Sequence, residues 1–270
     1  MNHALVSLAC HAYVVAALVY LAYLVRQVDP LATAGRLLVG TGLALHGVAL
    51  FGLFGAQGGG PVGVAQGFST FAFLLLAIFL VVDVRYRKPV IGAFITPLAV
   101  AVLLPGLLLD GGGQVLHPAI RQPLLPVHIT IALLGVAASA VAAGVAGMYL
   151  LMERQVKGKR FGLLFSRLPS LEFLDTLNRQ LVVVGFIALS VTLVTGAFFS
   201  SAAPGFFWAW QSKQIATLVA WGVFAALVSA RSFGGWRGRR VALLTMTGFG
   251  LLLVCFLSSY DFSHVGGGWR

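Results

Sequence analysis

Phe206, Phe207, Trp208 and Trp210 crowd four aromatic rings into five consecutive positions of the stretch PGFFWAWQSKQ (204–214). Flat apolar faces at that density offer a wall for a flat, conjugated ligand. The plainer reading is a belt of rings at a membrane–water boundary. His128 lies upstream in LLPVHITIALLG, and His264 lies downstream in YDFSHVGGGWR. Neutral imidazole is a good iron ligand, and two imidazoles on opposite faces of a porphyrin make a six-coordinate b-type heme. The alternative for each histidine is an interfacial residue bonded to backbone or water. His11 and His46 form a second pair, both within apolar runs, where ionisable side chains are costly and face the protein interior or a functional path. They read either as a clamp for a second heme or, for His46 in LALHGVALFG, as a hydrogen-bonded core histidine. His117, in DGGGQVLHPAI, reads as solvent-facing, with a flexible axial ligand as the alternative.

Other chemistries lack their residues. The sequence has no Ser-His-Asp arrangement, no GxxxxGK phosphate cradle and no HExxH. Cys10 and Cys255 both sit in apolar runs without CxxC spacing, so they read as small buried residues. The glycine triplets at 58–60, 111–113 and 266–268 read as flexible connectors.

The elements that must carry these residues are membrane helices. Of 270 residues, 59% are hydrophobic and 9% charged, and the mean hydropathy is +0.97. A soluble domain cannot hide that much apolar surface from water. Eight apolar runs are each long enough to span a bilayer: Ala4–Val25, Leu37–Ala56, Phe68–Val84, Val90–Leu109, Leu125–Leu151, Leu181–Ser201, Gln211–Ala230 and Val241–Leu257. The first lacks the basic start and small-residue cleavage site of a signal peptide. The expected fold is all-α and polytopic, a single integral-membrane domain over 1–270.

The formal charge of +11 could suggest a nucleic-acid partner, but its distribution reads as topology. The loops after the first, third, fifth and seventh spans hold nearly all the Lys and Arg residues, whereas the opposite side keeps Arg121, Lys213 and Arg270. The positive-inside rule then puts both termini outside the cytoplasm of a bacterial inner membrane. The aromatic loop 204–214, His128 and His264 fall on that outer side. The cytoplasmic side receives a basic amphipathic loop over 152–180. Its Phe161–Gln180 part reads as an interfacial helix, or as a docking surface for a soluble partner.

The chain resembles the cytochrome c assembly family, the CcsA/CcmC heme-handling membrane proteins, and within it a CcsA-like and HemX-like branch. That family carries an outer tryptophan-rich segment flanked by one histidine on each side. Its motif lies here on Gly205, Phe207, Trp208, Trp210 and Lys213, with Trp221 matching a later tryptophan and His128 and His264 the flanking histidines. RKPVIGAFITPL, LPSLEFLDTLNRQLVVVGF and GWRGRRVALLTMTGF resemble the branch too, and His46 matches a histidine of its second span. The departures are Pro204 for the leading tryptophan, Gln211, Ser212 and Gln214 for the Asp, Pro and Glu, and Ser229 for a histidine. A transmembrane heme site using the Ser229 position cannot form.

The resemblance implies a heme chaperone or assembly component rather than a classical enzyme. Such a protein would hold heme b between His128 and His264 for delivery to, or attachment on, apocytochrome c, with a second membrane subunit as partner. Lys213, Arg121 and Arg270 would meet the propionates. The branch also implies an alternative, a HemX-like regulator of glutamyl-tRNA reductase level with a soluble tetrapyrrole-synthesis enzyme as partner. A b-type electron-transfer subunit is a third reading, and a heme-free transporter or scaffold a fourth.

Overall fold

The computed structural model describes residues 2–57, 63–108, 125–159, 162–200 and 212–258. Its helices are α1 (His3–Arg26), α2 (Asp29–Gln57), α3 (Val64–Tyr86), α4 (Gly92–Leu108, entered through a 3-10 turn at Pro89–Ile91), α5 (Leu125–Lys157), α6 (Leu163–Arg167), α7 (Leu171–Ser200), α8 (Ser212–Ser232) and α9 (Arg239–Ser258). All but α6 are long and apolar enough to cross a membrane, eight in number, and no strand occurs among the described residues. The chain is an all-helical integral membrane protein. Helix is the local answer that bonds every backbone group within its own segment, as a hydrocarbon environment demands. Leu18, Phe51, Val81 and Val254 stand well exposed on the outer surface of the bundle. Each such side chain would cost about 1.5–3 kcal/mol in water, so lipid is what they face.

Local sequence sets the helix ends. Asn2 caps α1 by accepting the Leu5 N–H. Gln27 and Arg87 stop α1 and α3 in the left-handed region, at φ 52° and 50°, and donate their N–H groups to Tyr23 and Asp83 carbonyls. Pro89 follows Arg87 and cannot continue the preceding helix.

Two of the expected spans begin earlier than their apolar runs. α2 starts at Asp29 rather than Leu37, and α7 at Leu171 rather than Leu181. Charged residues in these first turns find partners inside the bundle. Arg36 Nε donates to Asp83 Oδ2 at 3.0 Å, and the Tyr20 hydroxyl reaches the same oxygen at 3.4 Å. Asp175 Oδ1 accepts from Arg231 Nη2 at 3.0 Å. The stretch expected as one amphipathic loop over 152–180 is therefore divided: α5 continues to Lys157, α6 is a single turn, and Leu171–Gln180 is already the first part of α7. Leu174, expected on the apolar side of a surface helix, is buried in the core, as is Leu177.

Packing builds two groups of four spans. α1 lies against α2 and α4, and α3 against α4; α5 lies against α7 and α9, and α8 against α9 and α7. The groups join where α3 meets α5, and Phe68 and Phe71 of α3 close on Phe256 of α9 at 5.4 and 5.2 Å between ring centroids. Small residues let α5 serve as the hub. Ala137, Ala138, Ser139, Ala140 and Ala142 are buried, and a Cβ placed on Gly185 of α7 would stand 2.9 Å from Ser139 Oγ. Close backbone approach of this kind is how helices associate where lipid removes the hydrophobic drive between them.

Candidate functional site

His128 stands in the first turn of α5, at the end of the bundle away from the basic loops. Its ring is half-buried against α7. Nδ1 lies 2.7 Å from Thr195 Oγ1, and Cε1 is 3.4 Å from where a Cβ on Gly196 would sit. Thr195 favours one tautomer. Its hydroxyl has one proton, and two carbonyls that can only accept lie beside it, Val191 O at 2.8 Å and Thr192 O at 3.2 Å. With that proton on the backbone, the oxygen accepts from His128 Nδ1–H, and the ring's lone pair lies on Nε2. A histidine oriented through Nδ1–H with Nε2 as donor atom is the usual form of an axial ligand whose outer partner fixes its ring.

Trp221 of α8 is held by the same device one and a half turns deeper. Its Nε1–H donates to Ser190 Oγ at 2.9 Å, and Ser190 passes its own proton to Phe186 O at 2.8 Å. The indole stacks on Phe186 at 5.7 Å and 29°. Ser190 and Thr195 are about 7.5 Å apart along α7. One helix thus holds an aromatic side chain from each neighbour by a hydroxyl whose proton is spent on its own backbone.

His46 is fully buried where α1, α2 and α3 meet. Nε2 lies 2.7 Å from Ser69 Oγ and Nδ1 3.3 Å from the Tyr13 hydroxyl, with the Phe73 ring edge-on at 5.6 Å. Gly42 leaves the room that the Tyr13 ring occupies. His11 is exposed, and its Nδ1 bonds the Ser7 carbonyl at 2.7 Å. Two positions separate His11 from Tyr13, about 200° around a helix, so His11 points away from the junction that Tyr13 faces. The structure does not bring His11 and His46 together as a clamp. His46 is a hydrogen-bonded core histidine with both ring nitrogens engaged, the second of its two readings.

Phe206, Phe207, Trp208, Trp210, His117 and His264 lie outside the described residues, as do Arg121 and Arg270. Lys213 is the second residue of α8. Among the described residues, no three His, Cys, Asp or Glu side chains gather as for a bare metal ion. A porphyrin iron needs only its axial pair.

A family model described as "Cytochrome C assembly protein" matches residues 36–263. The chain belongs to the cytochrome c assembly protein family. The match takes in His46, His128, the aromatic stretch and Trp221, and ends one residue before His264. Among family relatives, the cytochrome c biogenesis protein CcsA of Prochlorococcus marinus (strain MIT 9301) is 29% identical over 203 residues, covering 66% of this chain and 65% of its own length. CcsA of Microcystis aeruginosa (strain NIES-843 / IAM M-2473) is 25% identical over 272 residues, covering 80% of this chain and 82% of its own. CcsA of Synechococcus sp. (strain JA-2-3B'a(2-13)) reaches 41% identity over 96 residues, 36% of this chain and 27% of its own. In the first of these the match thus spans just under two thirds of the relative.

Among solved structures, the cytochrome c heme lyase CcmF superposes with a TM-score of 0.58 at 13% identity, over 96% of this chain and 51% of that one. At that identity the likeness is one of fold. The HemX-like regulator reading gains no support from these relatives, which carry the name CcsA.

The sequence reading missed Thr195, Ser190, Tyr13 and Ser69, the hydroxyls that orient His128, Trp221 and His46. A hydroxyl residue in an apolar run is weak evidence alone. It becomes informative once a ring nitrogen on another helix is known to need a partner.

Proposed function

We propose that this protein holds one heme b at the end of its bundle away from the basic loops and presents it for delivery to, or attachment on, apocytochrome c. In this reading His128 and His264 are the axial ligands, and Phe206, Phe207, Trp208 and Trp210 form one wall. Lys213 meets a propionate through a charge-assisted contact. The basic end lies in the cytoplasm, and both termini lie outside it. A second membrane subunit of the assembly machinery is the expected partner.

The observation that carries the reading is the His128–Thr195 pair: a ring whose Nδ1 stands 2.7 Å from a threonine hydroxyl of another helix, at the mouth of a bundle of the cytochrome c assembly family. Heme, when bound, supplies the vinyl groups to which apocytochrome thiols add. The chain's own residues bind and orient. Thr195 favours one tautomer of the imidazole. Gly196 lets the ring lie close on α7. Trp221 fixes α8, which leads from the aromatic stretch, against α7.

The visible spectrum of the detergent-purified full chain tests this. A Soret band with sharp reduced bands is expected, lost in His128→Ala and in His264→Ala but retained in His11→Ala. Heme that survives both of the first two changes overturns the assignment. Deleting the gene should then abolish covalent c-type cytochromes while leaving total tetrapyrrole unchanged.

A further inference from the structure

At the basic end, away from His128, two clefts open beside α7, one against α8 and one against α5 and the turn that follows α8. One of about 540 Å³ is lined by Arg179, Arg231, Trp236 and Arg237, among others. The other, of about 320 Å³, is lined by Arg179 and Arg231 together with Val182, Val183 and Val228. Arg179 and Arg231 line both, so the clefts adjoin at these side chains.

Their polarity runs in one direction on both helices. On α7, Arg179 is followed by Val182 and Val183 at i+3 and i+4; on α8, Arg231 is preceded by Val228 at i−3. Residues at these spacings share a helix face. On each helix the cation lies toward the basic end and the valines one turn further into the membrane. Trp236, 44% exposed, lines the cationic end, the depth that interfacial tryptophans favour.

The cations exceed what the fold uses. The Asp175 side chain is committed to Arg231 at 3.0 Å. Glu172 is the other acidic lining residue, against three arginines. Arg179 and Arg237 make no salt bridge among the described residues. Arg231, whose side chain is 6% exposed, spends its Nη1 and Nη2 groups on Asp175 and Asn178, so Arg179 and Arg237 are the cations left over. Fixed positive charge at the interface with valines one turn beneath it suits an amphiphile that has a phosphate head at the surface and acyl chains below.

We propose that these adjoining clefts bind an anionic phospholipid of the surrounding bilayer, its phosphate between Arg179 and Arg237 and an acyl chain along Val183 and Val228. This reading stands apart from the heme proposal and shares no residue with it.

Native mass spectrometry of the full chain in mild detergent, titrated with dioleoylphosphatidylglycerol, tests the site. Arg179→Gln with Arg237→Gln should weaken binding on the order of tenfold. Arg179→Lys with Arg237→Lys should keep most of it. Arg85→Gln with Arg87→Gln, exposed positions at the same end, should leave it unchanged. Equal weakening by both glutamine pairs, or by neither, overturns the proposal. Dioleoylphosphatidylcholine should bind weakly, and millimolar inorganic phosphate or glycerol 3-phosphate should not displace the lipid. Displacement by either would make this an anion site and defeat the lipid assignment. A phosphatidylglycerol with a diazirine on its acyl chain, applied to the unaltered protein, should label peptides containing Val183 or Val228. Labelling confined to other helices would also defeat it.

Discussion

Thr195 Oγ1 stands 2.7 Å from His128 Nδ1, and its own proton is spent on the Val191 carbonyl 2.8 Å away. The threonine is therefore an acceptor for the ring, and a residue of a different helix favours one tautomer of the imidazole. Thr195→Val keeps the shape and removes the acceptor. Heme affinity, read by Soret titration, should fall about 10–100-fold, with the reduced bands shifted. Thr195→Ser should restore both. A valine variant indistinguishable from the parent in affinity and spectrum would remove Thr195 from the site.

His46 makes the opposite prediction. Ser69→Ala leaves its buried Nε2 without a partner, which costs about 1–3 kcal/mol. Thermal unfolding in detergent should register that loss, while heme bound per folded chain stays constant. Heme loss at constant stability would restore His46 as a ligand.

The buried ion pair of Arg231 with Asp175 joins α7 to α8, and Asn178 extends it, accepting from Arg231 at 3.0 Å and donating to Ala142 O at 2.9 Å. Asp175→Leu strands a guanidinium that is nearly enclosed, at a cost of about 3–5 kcal/mol. The paired change Asp175→Leu with Arg231→Met should recover much of it. A double variant no more stable than the single one, by the same unfolding measurement, would show that the charges are not coupled.

Gly185 and Gly147 separate close packing from helix propensity. A methyl on Gly185 would stand 2.9 Å from Ser139 Oγ, whereas one on Gly147 meets nothing within 4 Å. Gly185→Ala should destabilise by about 1–3 kcal/mol. Gly147→Ala should be neutral or slightly stabilising, because alanine is the better helix former. Equal effects would mean that the α5–α7 crossing is looser than described.

All eight spans were legible in the sequence, because twenty apolar residues in a row have few alternatives to a membrane helix. Their edges were not. Hydropathy falls at Arg36 and at Asp175, and a rule that reads charge as loop ends the helix there. The fold instead carries those charges into the bundle, because Asp83 and Arg231 await them from other helices. His128 was legible from residue type and from its place in a family motif. Its partner was not, since Thr195 is one hydroxyl among several in α7 and becomes distinctive only through the helix packed beside it. The pairing of His11 with His46 failed for a rotational reason: sequence gives depth, but the face that each ring presents follows from which neighbour the helix packs against.

α7 runs unbroken from Leu171 to Ser200, with Asp175 near one end and Thr195 near the other. The two are about 30 Å apart along its axis. A rod gripped at the arginine end and bearing an imidazole's rest at the far end cannot be shifted at one without moving the other. Whatever leans on its arginine end therefore also adjusts the aim of a ring nearly a full bilayer away.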